Sequence, residues 1–440
     1  MATPSDPGQD ARRMRTVIWV VTLATLGLVF DGYDLVVYGA VVSTFLRDPS
    51  QIGAVSPAMA GVLGSYALVG VMVGALTAGT VGDILGRRKV ILTSYAWFSI
   101  GMALSAMATD TTTFGWLRFF TGMGVGSLVA TTAALVAEYA PKGKKNMINA
   151  ITNGGIPLGS LLSALLAILL MDKIGWRGMF WIGALPLVTL LPLAYFKMPE
   201  SVAWLAARGR LEEARALSER TGMPMPELAV ASSGQHEPSG HDKTGFAGLF
   251  TAHYLFPTLI LGLMSATGLV LVYSLNTWLP ELMLRAGFNA KGSLSFLLVL
   301  NGGSLFGALL ASRFADRFGP KPVVASTFAI GAIALILLTL GLPLAALLCI
   351  VAIVGLGTSG TQTLIYGFVA NYYRTNVRAA GVAWCAGFGR LGGIGGPMLG
   401  SLLISAGIAL DSIFYVLACI GVFGIALTLL VPMARSAANR

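Results

Sequence analysis

An all-α membrane protein, with twelve transmembrane helices arranged as two halves of six, is the fold class this sequence predicts. Three observations predict it. Of the 440 residues 55% are hydrophobic and 11% are charged, whereas a soluble globular chain carries about 25% charged residues. Apolar runs of the ~20 residues needed to cross ~30 Å of hydrocarbon recur along the whole chain. They are separated by short basic clusters, and they fall into six, a polar break, and six more.

Residues 1–15 form a polar tail ending in Arg12, Arg13 and Arg15. The apolar run that follows is too long for a removable signal peptide and lacks a cleavage site, so it is expected to remain as the first helix. Further spans are expected at 58–80, 89–108, 114–138, 149–171 and 177–196, completing a first six-helix bundle over 16–196. A loop at 197–248 comes next. The second bundle, 249–433, takes spans at 252–278, 293–314, 322–340, 343–370, 379–406 and 411–433, before a tail at 434–440.

Charge sets the orientation. Arg12/Arg13/Arg15, Arg87/Arg88/Lys89, Lys142/Lys144/Lys145, the basic residues of the central loop, Arg313/Arg317/Lys321, Arg374/Arg378 and Arg435/Arg440 all fall on one side. The other side has Arg47, Lys173, Arg177, Arg285 and Lys291. The lysine- and arginine-rich side is expected to be cytoplasmic, and with it both termini. The net charge of +10 is therefore a topology signal, not a nucleic-acid footprint. Cys349, Cys385 and Cys419 lie in apolar spans, which gives no disulfide framework, and His236, His241 and His253 have no metal-ligand spacing. No metal or cofactor is expected.

In the central loop, Leu211, Ala214 and Leu217 recur at helical spacing beside Glu212, Glu213 and Arg215, which predicts a short amphipathic helix within Arg210–Arg220. Residues 221–245 read as a flexible linker. The two halves also echo each other. Gly82-Asp83-Ile84-Leu85-Gly86-Arg87-Arg88 recurs as Ala315-Asp316-Arg317-Phe318-Gly319-Pro320-Lys321, and Gly122/Gly124 match Gly355/Gly357 at the same offset. An internal repeat of this kind is the layout of transporters that bind substrate between their halves.

Within that frame a few polar residues stand at membrane depth. Asp31 and Asp34 interrupt the first span, and a charge there costs about 2.5–3.5 kcal/mol even on an insertion scale. Gly27, Asp31, Asp34 and Tyr38 share one helical face, a polar stripe suited to a cavity wall. Two buried carboxyls three residues apart suit a proton site, and Gly32 between them would permit local deformation. Arg118 is the one basic residue of the fourth span and needs either a carboxylate partner or an anionic ligand. An ion pair with one aspartate and a part in transport are compatible readings. Arg390, near mid-membrane in the penultimate span, has no acid in its own span. A substrate carboxylate held bidentately is the sharper reading, and a backbone carbonyl at the Gly-rich turn is the competing one. At the turn between the second and third spans, Gly79 and Gly86 allow close packing and Asp83 faces a basic cluster, Arg87 and Arg88, that it can pair with; Glu138 stands at the same end of the fourth span, and Asp316 and Arg317 echo the pattern.

The Gly79–Lys89 pattern resembles the loop signature of the major facilitator superfamily, in which the Asp and Arg form an inner latch that breaks and re-forms. Asp31-Gly32-Tyr33-Asp34 narrows the likeness to the aromatic acid:proton symporters. Arg118 with its glycines, Glu138-Tyr139-Ala140-Pro141, Pro199-Glu200-Ser201, Trp278-Leu279-Pro280 and Gly389-Arg390 with Gly396-Pro397 support it. The resemblance implies a major facilitator fold in a bacterial inner membrane, monomeric, importing a benzoate-, hydroxybenzoate-, protocatechuate- or gentisate-type carboxylate with protons. It implies functional roles for Asp31, Asp34, Arg118 and Arg390. Tyr38, Tyr273, Asn276, Gln362 and Tyr366 are candidates to stack on or hydrogen-bond the ring. Ser127-Leu128-Val129-Ala130 and Asn371-Tyr372-Tyr373-Arg374 depart from the family's usual Pro-Asn and Tyr-Pro-Thr, which bears on the choice of substrate. Symport of a non-aromatic organic acid and proton-driven efflux remain the alternatives. An enzyme is not expected, because no polar segment is large enough for a catalytic core.

Overall fold

The computed structural model describes residues 7–141, 145–225 and 245–432. Lys142, Lys144, His236, His241, most of the expected linker (226–244) and the two tails (1–6 and 433–440) lie outside the described residues. What is described is helical, as a bilayer demands of a chain that must satisfy every backbone N–H and C=O within its own segment. In chain order the helices are α1 (Pro7–Arg47), α2 (Pro57–Leu85), α3 (Arg87–Met107), α4 (Thr111–Tyr139), α5 (Lys145–Asn153), α6 (Gly155–Gly183), α7 (Leu190–Lys197), α8 (Val202–Ala207) and α9 (Leu211–Thr221). They continue as α10 (Gly245–Leu249), α11 (Leu255–Arg285), α12 (Ala290–Phe318), α13 (Pro320–Leu337), α14 (Leu344–Gly355), α15 (Thr361–Tyr372), α16 (Thr375–Ser405) and α17 (Leu410–Leu430).

Among the described residues ten helices are long and apolar enough to cross a membrane. Two expected spans differ in detail. The span at 177–196 is interrupted: α6 ends at Gly183, a single 3-10 turn covers Leu185–Leu187, and α7 resumes at Leu190. Pro186 is the reason, since it donates no N–H and its ring crowds the carbonyl four residues earlier. The span at 343–370 carries a π-helical turn, Leu356–Gly360, between α14 and α15. Gly175, at φ 64°, separates the two parts of α6 as expected for the turn between the fifth and sixth spans.

By contact clustering the chain divides into two compact units. One comprises Met1–Val37, Tyr66–Ser163 and Leu170–His236; the other comprises Tyr38–Ser65, Ala164–Leu169 and Glu237–Arg440. In the first, α1, α3 and α4 bury Val20, Leu23, Ile91, Tyr95, Leu128 and Leu135 in one core, and the central-loop helices join it through Leu205, Ala214 and Leu217. The expected amphipathic helix is α9, with Ala214 and Leu217 on its buried face. In the second unit, α11 packs along α16, and α13 along α17.

Small residues set the helix spacing around the polar positions. A Cβ on Gly32 would collide with the Ile156 carbonyl oxygen, and one on Gly159 with that of Val29. The α1–α6 contact is therefore backbone against backbone. Gly32 does not deform α1, which is unbroken from Pro7 to Arg47; it admits a neighbour instead.

Candidate functional site

The first polar centre joins α1 to α4. Arg118 and Asp34 are 2% and 4% exposed, and Nη1 of the arginine donates to Oδ1 of the aspartate. Asp34 of the polar stripe is thus paired with Arg118. Asp31, three residues earlier, is half-buried. The guanidinium is enclosed on its other sides: the Phe180 ring centre lies 5.6 Å from Cζ, and the Met102 sulfur is 4.0 Å from Nη1. Phe180 is itself wedged edge-on against Phe114 and Trp176, at 5.6 and 5.9 Å. The neighbouring Tyr33 hydroxyl donates to the Met179 carbonyl at 2.8 Å, tying α1 to the helix that carries Phe180.

Such enclosure has a chemical consequence. A carboxylate and a guanidinium removed from water are stable together and costly apart. Protonating Asp34 would weaken the pair, so a proton at this position and the placement of α1 against α4 are linked. Phe180 and Met102 were not legible from their positions in the sequence, because nothing in an apolar span marks the residue that will face a charge.

The second centre lies in the other unit. Arg390 on α16 is half-buried and makes no ion pair or hydrogen bond among the described residues. The alternative of a backbone carbonyl at the Gly-rich turn is not realised. Gln362 on α15, 6% exposed, donates to the Ser265 hydroxyl at 3.0 Å, which in turn donates to the Cys385 carbonyl at 2.9 Å. Tyr366 is half-buried on the same helix. Tyr273, also half-buried, lies against Gly393 and Gly396 of α16. Asn276 is engaged on both sides, donating to the Val272 carbonyl at 2.9 Å and accepting from Asn301 at 3.0 Å. Tyr38 is 3% exposed, and its hydroxyl donates to the Ala60 carbonyl at 2.5 Å. Asn276 and Tyr38 are thus occupied with protein partners in this structure.

The turn between α2 and α3 assembles the expected charged cluster. Arg87 pairs with Asp83 at 2.8 Å and reaches Glu138 of α4 at 3.5 Å. Glu200 completes it: its carboxylate accepts from the Arg88 backbone N–H at 3.0 Å and from that of Ser201 at 2.9 Å. Trp204 and Arg208 both donate to the Asp83 carbonyl, at 2.8 and 2.7 Å. The Arg88 guanidinium takes the Tyr195 carbonyl. Gly86 sits at φ 99° with Glu200 pressed against it, a conformation that disfavours any side chain. Gly79 is exposed with open space around it, so packing does not require a glycine there. The echo in the second half keeps the backbone but, among the described residues, not the ion pairs. Gly319 repeats the conformation at φ 89°, but Asp316 is exposed and makes no ion pair among the described residues, and Arg317 lies 5.4 Å from the Phe318 ring centre.

Among the described residues no group of three or more metal-ligating side chains occurs. Comparison with known proteins places these features. Residues 20–433 match the model of the family described as sugar (and other) transporter. The benzoate transport protein of Acinetobacter baylyi is 35% identical, covering 90% of this chain and 85% of that protein. The gentisate transporter of Corynebacterium glutamicum is 32% identical over 92% and 85%, and the gallate transporter of Pseudomonas putida is 32% identical over 93% and 90%. Among solved structures, the Escherichia coli xylose transporter XylE in a partially occluded inward-open conformation superposes with a TM-score of 0.75. It is 19% identical and covers 95% of this chain and 98% of that one, a likeness of fold.

Proposed function

We propose, for a chain that belongs to the sugar (and other) transporter family of the major facilitator superfamily, that it imports an aromatic carboxylate of the benzoate, hydroxybenzoate, protocatechuate or gentisate type by proton symport. It is a membrane transporter and not an enzyme. The observation that carries the site assignment is the contrast between the two membrane-depth arginines. Arg118 has an internal carboxylate, Asp34, whereas Arg390 has neither carboxylate nor carbonyl among the described residues. A guanidinium at that depth is stabilised by an anion, and a planar fork matches a carboxylate bidentately. Arg390 is therefore assigned to the substrate's carboxylate, with Tyr366, Tyr273 and Gln362 towards its ring.

Protons are assigned to α1. Asp34, opposite Arg118, is the carboxylate whose charge state sets the α1–α4 contact, and Asp31 is the acid that loads and releases a proton from the cavity. The cycle is alternating access by a monomer of twelve spans in the bacterial inner membrane. Both termini are cytoplasmic, and the Asp83–Arg87–Glu138–Glu200 cluster serves as the inner gate. The relatives named for benzoate, gentisate and gallate transport support an aromatic acid over other organic acids.

The test is an uptake panel of labelled aromatic acids and non-aromatic dicarboxylates in cells, with and without a protonophore. Accumulation of at least one aromatic acid, abolished by the protonophore, is expected. Accumulation of dicarboxylates alone, or uptake indifferent to the protonophore, would count against the reading.

A further inference from the structure

At the C-terminal end of α1 lies a charged cluster that neither substrate nor proton uses. Glu281 of α11 is 3% exposed in its side chain and takes two arginines. Arg285, one turn along the same helix, donates to Oε1 at 2.9 Å, and Arg47, in the last turn of α1, donates to Oε2 at 3.3 Å. Both arginines are about half-exposed. Asp48 does not compete for Arg47. Its carboxylate is held by Ser50 and Gln51, which keep it below the usual carboxylate range.

This cluster closes a packed face. A Cβ on Gly39 would collide with the Asn276 carbonyl oxygen, and one on Gly61 with the Ser401 side chain. The Ser65 hydroxyl donates to the Ile394 carbonyl at 2.8 Å, and the Trp278 indole donates to the Pro397 carbonyl at 2.9 Å. The stretch Tyr38–Ser65 accordingly belongs to the same compact unit as α11 and α16. A carboxylate buried in such a face is costly without a partner. Arg285 supplies one from its own helix whatever α1 does, so Arg47 can leave without orphaning the charge. A pair with one permanent and one detachable cation is built to open.

We propose that Arg47–Glu281, with Arg285 as standing partner, is a latch that holds the transporter shut on its outer face, and that releasing Arg47 is a step of the transport cycle. The assignment of this face as outer rests on the topology proposed above. The latch would also connect to the proton site, because Arg47 and Asp34 ride on one unbroken helix, about 20 Å apart at 1.5 Å per residue.

The experiment places a reporter thiol at Ser65, buried in the closed face, and measures its reaction with a membrane-impermeant maleimide in right-side-out vesicles. The parent with its three native cysteines supplies the background. With Ser65→Cys present, Arg47→Ala and Glu281→Gln are each expected to raise the labelling rate from outside by about three- to tenfold, with Arg47→Lys in between. An unchanged rate in Arg47→Ala overturns the proposal, as does a rise seen only from the inner side. If Glu281→Gln fails to accumulate in the membrane, Arg47→Ala, at a half-exposed position, decides alone. Labelling needs neither substrate nor a proton gradient, so a failed uptake panel and a failed latch are told apart.

Discussion

Replacing Asp34 by Asn removes the negative member of a pair whose positive member is 2% exposed. The Phe180 ring at 5.6 Å attracts the guanidinium before and after the change, so it offsets nothing in the difference. What remains is the cost of an unpaired buried charge, about 3–5 kcal/mol when one partner of a buried pair is lost. At ~2 °C per kcal/mol this lowers the melting temperature by ~6–10 °C. The readout is reaction of a thiol dye with buried Cys385 on heating in detergent; that cysteine is 0% exposed in the folded protein. The double variant Asp34→Asn with Arg118→Met removes both charges at similar length and should recover most of the loss, while uptake stays abolished in both. If Asp34→Asn melts within ~1 °C of the parent, or if the double variant melts lower still, the pair does not hold α1 to α4 and the reasoning fails.

Three further outcomes separate the remaining residues. Asp31→Asn should abolish protonophore-sensitive accumulation at unchanged membrane abundance; wild-type accumulation would remove Asp31 from the coupling mechanism. Arg390→Lys should raise the apparent KM for the best aromatic acid by about tenfold or more at unchanged membrane abundance, since an ammonium is a point charge where a planar fork is needed. Gly86→Ala combines a strained φ with a collision against Glu200, whereas Gly319→Ala meets only the strain, with open space around it. The strain is common to both, so the first should lose more thermal stability than the second by the ~1.5–3 kcal/mol of a charge-assisted hydrogen bond that a displaced Glu200 gives up, and equal losses would show that Glu200 does not brace the turn.

Much of the fold was legible because a bilayer makes span length and charge placement readable from one sequence. Periodicity also put Asp31, Asp34 and Tyr38 on one face. It could not say which carboxylate meets Arg118, because three residues of helix separate the candidates by one turn and the choice depends on how α1 and α4 dock. Gly122 and Gly126 seat α4 on the backbone of α2 at Ala67 and Val71, a tertiary contact that helical periodicity does not reveal. The same limit hid Glu281 and Glu200. Glu200 sits within Pro199–Ser201 and Glu281 directly follows Trp278–Pro280, but Arg47 and the Arg88 N–H that meet them come from helices far away in sequence. The repeat misled in one respect. It predicts the turn at Gly319, since backbone conformation follows local sequence, but the charged cluster depends on Glu138 and Glu200, and among the described residues Arg317 lies against the Phe318 ring and makes no ion pair.

The two aspartates of α1 are distinguished by what surrounds them. A carboxylate locked to a buried guanidinium takes up a proton only if the pair loosens, so its protonation is coupled to movement. Asp31, one turn away, is half-buried and keeps some contact with the surroundings of the bundle. In the proposed cycle Asp31 is the acid of capture and release, and Asp34 the one whose charge state moves α1. The helix that would be displaced also ends in Arg47, whose partner Glu281 keeps a second arginine in reserve. In the proposed cycle α1 is the continuous helix that carries both Asp34 and Arg47, each in a charged pair that can exist in two states.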